Sequence, residues 1–168
     1  MDAMLKAGVW KQFGAAMDMF EDALTLCPDE LWTTAMWKDP DDERYGQFWF
    51  IAYHTLRWTD LFLTGSSEGF TPPAPFILGK LPEQPYTKAQ IRTYYDQCRQ
   101  KAQAAIEGLT DEKARQICKF EWMAPTYYEL QLYSMRHIQE HAAQLNLTLG
   151  QHDVEGMDWV AQARNKAT

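Results

Sequence analysis

The sequence predicts an all-α protein, a bundle of four main helices, on three observations. Four segments repeat their apolar residues at helical spacing, no stretch alternates apolar and polar residues as a half-buried strand would, and 168 residues suffice for one domain with a real core. Residues 1–168 are therefore expected to form a single domain, and no internal repeat divides them.

The first helix is expected from near Asp2 to just before Pro28, whose ring pushes the preceding residue into extended geometry; Phe13, Met17, Phe20 and Leu24 form its buried stripe. The second starts after the loop of residues 40–43 and runs to about Leu63, ending before Gly65. Its stripe is Ile51, His54, Trp58 and Leu61, yet Trp49, Phe50, Tyr53 and Leu56 fall outside it. A helix apolar on more than one face is either central to a core or packed on another subunit, which is the ground for expecting a homodimer. Residues 64–85 form a long connection rich in Gly, Ser and Pro, expected to fold back on the body through Phe70, Phe76, Ile77 and Leu78.

Thr87-Lys88-Ala89-Gln90 opens the third helix with a capping-box pattern, and its stripe is Ile91, Tyr94 or Tyr95, Cys98, Ala102 and Ala105, closing before Gly108. A connector over residues 109–125, with one short turn, leads to Thr126-Tyr127-Tyr128-Glu129, a second capping-box pattern. The fourth helix turns Leu130, Ser134, His137, His141, Leu145 and Thr148 inward, and Gly150 is its expected stop. Trp159 and Val160 are expected to anchor a short C-terminal tail.

Charge and cysteine usage narrow the function classes. A net charge of -7 without a local basic run disfavours nucleic acid, because a phosphate backbone repels such a surface. The acidic cluster Asp39, Asp41, Asp42 and Glu43 lacks the ordered spacing of a calcium loop and reads as a solvated turn. Cys27, Cys98 and Cys118 are odd in number and far apart, which suits a reducing compartment and gives no disulfide framework. The most apolar run, residues 48–63, is short for a membrane span and contains His54, Arg57 and Asp60. The expectation is a cytoplasmic protein with no membrane contact.

Of four histidines, three fall on inward stripes. His137 and His141, four apart on one helix face, have Cβ atoms about 6 Å apart, so both imidazoles can reach one ion at about 2.0–2.1 Å. His54, in register with Ile51 and Trp58, stands where a third ligand would come from. Three buried imidazoles without a common partner would leave several polar nitrogens unsatisfied, which favours a shared metal over three separate core histidines. His152 lies beyond Gly150 in a polar stretch and reads as a surface residue; Glu140 points roughly 100° away from His141 and reads as a solvated helix face. Because a ligand histidine must be neutral and ordinarily titrates near about 6.5, mild acid is expected to release the ion.

At these residues the sequence resembles the DinB-like, YfiT-like family of metal-binding four-helix bundles. The resemblance rests on the aromatic second-helix run Phe48-Trp49-Phe50-Ile51-Ala52-Tyr53-His54-Thr55-Leu56-Arg57-Trp58, on Arg136-His137-Ile138-Gln139-Glu140-His141-Ala142-Ala143-Gln144-Leu145, and on Trp159-Val160 near the end. It implies an up-down-down-up bundle in which residues 64–85 are the crossover, and His54, His137 and His141 as ligands of one divalent transition metal ion. Imidazole donors suit zinc, nickel, copper and iron, with zinc or nickel expected first. Several members resemble thiol-dependent transferases, which implies a low-molecular-weight thiol as cosubstrate and a small-molecule electrophile as substrate. A metal-dependent hydrolase and a non-catalytic ligand- or partner-binding bundle are the alternatives, and no residue here is assigned to catalysis or to thiol binding.

Overall fold

A computed structural model describes residues 1–155 and 158–165. The Asp2 carboxylate accepts the Met4 and Leu5 N–H groups and so starts α1, Ala3–Leu26, which ends where Cys27 turns extended ahead of Pro28. Two short 3-10 turns, Asp29–Leu31 and Glu43–Gly46, precede α2, Phe48–Thr64, so α2 opens later than the loop composition suggested. Gly65 closes it in the left-handed conformation, φ 80°, where a side chain would be strained. α3, Lys88–Glu107, carries a complete capping box at Thr87 and Gln90. α4, Asp111–Arg115, is the single short turn of the connector. α5, Tyr127–Gln151, starts on the Thr126 hydroxyl and runs through Gly150, so that glycine is not its stop.

Four main helices pack together, with α1 and α2 each lying against both α3 and α5. Among the described residues no strand forms, only isolated bridges. The expected stripes are buried: Phe13, Met17, Phe20 and Leu24 on α1; Ile91, Cys98 and Ala102 on α3; Leu130 and Leu145 on α5. Tyr94 and Tyr95 are both buried, because their hydroxyls reach opposite neighbours, Asp60 on α2 and Glu21 on α1.

Most of the surplus apolar face of α2 is covered within one chain, with Phe50 left half-buried. Trp49, Tyr53 and Leu56 are buried, and Trp49 and Tyr53 pack on Tyr86. Phe76, from the long connection of residues 65–87, stacks on Tyr53 and Tyr94, and the Tyr53 hydroxyl donates to the Ile77 carbonyl. The connection thus folds back through Phe76, while Leu78 stays exposed. At the other end, Phe62, Leu109, Cys118, Tyr127 and Leu130 make a smaller cluster.

The C-terminal segment is held by Val160, 8% exposed, rather than by Trp159, 75% exposed. Beyond it, the Asp18 carboxylate, fully buried on α1, accepts bonds from the Arg99 guanidinium and from the Arg164 backbone N–H. The Ala163 N–H donates to the Lys11 carbonyl, and Ala163 comes so close to α1 that a Cβ at Gly14 would collide with it.

Candidate metal centre

α2 and α5 bring the three inward histidines to one point. The Nε2 atoms of His141 and His137 lie 3.0 Å apart, and those of His137 and His54 lie 3.3 Å apart. Three nitrogens held tetrahedrally at about 2.0–2.1 Å from one ion would be separated by about 3.3–3.4 Å, near these two separations, and all three histidines offer nitrogens within 4.8 Å of one another. Among the described residues these three are the one group of His, Cys, Asp or Glu side chains found at ligand spacing. The acidic turn is occupied otherwise: Asp39 accepts backbone N–H groups of residues 41 and 42, and Asp42 pairs with Arg44. His152 is exposed and bonds through Nδ1 to the Thr148 carbonyl.

The outer nitrogens decide which lone pairs face the centre. His141 Nδ1 lies 2.7 Å from Gln144 Oε1 and donates to it, leaving Nε2 free to coordinate. His137 Nδ1 is buried with no hydrogen-bond partner in the chain, as are Ser134 Oγ and Gln131 Oε1 on the same helix. His137 thus has no partner within the chain for its outer nitrogen, unlike His141.

Electrostatics keep the imidazoles neutral, as coordination requires. Burial, the two other imidazoles and the nearby Arg57 charge pull the His54 pKa down to about 2. Burial, His141 and Arg57 bring His137 to about 3. His141 is also lowered by burial, against the opposing pull of Gln144 and Glu140. By contrast the cysteine thiols are buried away from the centre, and burial pushes Cys27 up to about 12, so none is a ready thiolate.

A cleft of about 440 Å3 opens over the Nε2 atoms, walled by Trp58, Phe62, Trp122 and Tyr133 with Glu140 at its edge. Trp58 stacks on Phe62 and takes the edge of Trp122 at 5.4 Å. Arg57 lies over the Trp58 ring at 4.2 Å. Trp122 is 53% exposed, a large ring left open to solvent beside the centre. Trp58 and Phe62 could have been read as one and two turns beyond His54, and Gln144 as a partner three residues after His141. Trp122 comes from the connector, where no periodicity points inward, and Glu140 reaches the cleft despite its outward position.

A profile of the DinB superfamily matches residues 12–145. The chain belongs to the DinB superfamily. The matched span of this DinB-superfamily chain includes all three histidines, which could together hold a metal ion. No curated protein and no solved structure matches the chain.

Proposed function

We propose that this DinB-superfamily protein is a metal-dependent thiol S-transferase that joins a low-molecular-weight thiol to a small planar or apolar electrophile. The observation that carries the reading is the cleft: three convergent Nε2 atoms face an open space with aromatic walls, rather than a fourth protein ligand. A divalent ion on three neutral imidazoles keeps its full charge and open positions, and supplies the Lewis acidity that lowers the pKa of a small thiol. The chain's own residues do the rest. Trp58, Phe62 and Trp122 hold the electrophile by ring contact and exclude water, while Glu140 accepts the proton that the thiol gives up as its sulfur bonds to carbon and the leaving group departs with its electron pair. Zinc or nickel is the ion proposed, from the all-imidazole donor set.

The bundle order proposed is up-down-down-up. Cys98 reaches Leu56 and Lys101 reaches Asp60, a rising register between α2 and α3, whereas Arg99 reaches Asp18 and Arg92 reaches Glu21, a falling one between α1 and α3.

The test is elemental analysis of protein purified without added metal, then conjugation assays. Bacillithiol, mycothiol, glutathione and cysteine are each offered a reactive electrophile, with metal-loaded and stripped protein compared. Thiol consumption that requires metal and is lost in His54→Ala is the expected result. Equal rates with and without metal sink the transferase; metal-dependent ester or amide cleavage without thiol makes the protein a hydrolase; metal binding with no turnover leaves a ligand-binding bundle.

A further inference from the structure

The three histidines differ in what holds their far side. His141 presents Nδ1 to Gln144 Oε1, an acceptor only, so its proton sits on Nδ1 and Nε2 carries a lone pair. Nε2 of His137 lies 3.0 Å from that lone pair. Without an ion, two lone pairs at this distance repel, and the favourable arrangement puts a proton on His137 Nε2, donating to His141. With an ion, His137 Nε2 must give its lone pair to the metal and the proton must sit on Nδ1. His137 therefore changes tautomer when metal binds, and its Nδ1 passes from acceptor to donor.

Whatever pairs with His137 Nδ1 must serve both states. A bridging water can donate to Nδ1 in one state and accept from it in the other, but it needs a fixed polar group to hold it in place. Nδ1 is buried with no partner in the chain, and Ser134, one turn earlier on the same inward stripe, is fully buried with its Oγ equally unpartnered. Residues three apart on a helix are neighbours about 5–6 Å apart at Cβ, within reach of one bridging water. Serine in a helix commonly satisfies its hydroxyl on the carbonyl four residues back, as Thr55, Thr59 and Thr148 do here, and Ser134 does not.

We propose that Ser134 is a positioning residue for His137, its hydroxyl paired with His137 Nδ1 through one buried water, donating toward it in the metal-free protein and accepting from it when metal is held. Ser134 does for His137, through a water, what Gln144 does for His141 directly. The proposal rests on the metal reading of the three histidines.

The test compares zinc affinity, by competition with a chromophoric chelator, and thermal unfolding of the metal-free protein for the parent, Ser134→Ala, Ser134→Thr, Gln144→Ala and His54→Ala. Loss of an outer partner of a ligand histidine typically costs about 10–100-fold in metal affinity. Ser134→Ala is expected to weaken zinc binding by that factor, as Gln144→Ala does, while the metal-free protein unfolds at nearly the same temperature, since water can fill the space of the hydroxyl and still bond His137 Nδ1. Ser134→Thr, which keeps the hydroxyl, is expected to recover most of the affinity. If threonine does not fit, cobalt substitution serves in its place: Ser134→Ala should shift the visible bands of the bound cobalt by reorienting His137. Zinc affinity within twofold of the parent in Ser134→Ala overturns the proposal, as does an affinity loss matched by an equal loss of metal-free stability, which would make Ser134 merely structural. A parent chain that binds no more zinc than His54→Ala overturns the metal reading itself, and this proposal with it.

Discussion

His54 and His137 resist protonation in the folded chain, at about 2 and about 3, and His141 is shifted the same way. In the unfolded chain each titrates near about 6.5, so below that value the unfolded state binds more protons and folding weakens. The contribution is present in full above about 6.5 and falls as pH drops toward the folded values, by up to about 1.4 kcal/mol per pH unit for each histidine. Inside the folded site the imidazoles stay neutral through mild acid. Acid is therefore expected to release the ion by unfolding the bundle, not by titrating an intact site as the ordinary histidine value suggests. Zinc titrations and circular dichroism at matched pH from 7 to 4 check this; zinc lost near pH 6 with full helical signal would contradict it. At the cleft, Trp122→Ala is expected to raise KM for an aromatic electrophile about fivefold, consistent with about 1 kcal/mol of ring contact, and to leave the melting temperature unchanged because the ring is half exposed. Steady-state kinetics with ring-bearing and ringless electrophiles give the comparison.

At the scale of elements, the helices and their caps were legible because short-range chemistry sets them. Asp2, Thr87 and Thr126 cap where the sequence places them, and Pro28 and Gly65 end their helices by backbone restriction alone. Gly150 lies one residue inside the end of α5, because a glycine near a helix end permits a stop without imposing it, and the closing bonds run from residues 152 and 153 to residues 149 and 150. The convergence of the three histidines was legible through the i, i+4 pair and the shared stripe, whereas Trp122 and the Asp18–Arg99–Arg164 clamp join distant segments that no local period connects. That clamp has a measurable weight. Asp18→Ala leaves the nearly buried Arg99 guanidinium without its counter-charge, and removing one partner of a buried pair typically costs about 3–5 kcal/mol. Urea unfolding should show that loss, and proteolysis should trim the freed C-terminal segment in the variant before the parent.

For the whole molecule, the ion would join α2 to α5 across 83 residues of chain, so its binding stabilises the fold by mass action. A free zinc concentration about a hundred times Kd should add about 2.7 kcal/mol, readable as a rise in melting temperature that His54→Ala abolishes. No helix among the described residues is long and apolar enough to cross a membrane. Of the off-stripe face of α2 on which a homodimer is proposed, Trp49, Tyr53 and Leu56 are covered within their own chain and only Phe50 stays part-exposed. Sedimentation is expected to give about twice the 19.5 kDa chain mass, and a monomer at all concentrations would end that proposal.

The ring wall around the histidines also gives the protein an optical reporter. The ring of Trp58 lies 6.1 Å from that of His54, and the ring of Trp122 touches Trp58. An ion with an unfilled d shell, such as nickel or copper, drains the excited state of an indole at such range, whereas closed-shell zinc leaves it emitting. Nickel added to the metal-free protein should therefore dim the tryptophan emission in step with occupancy, zinc should displace it and restore the light, and His54→Ala should stay bright throughout. The identity of the ion the protein prefers can be watched in a cuvette, without any added dye.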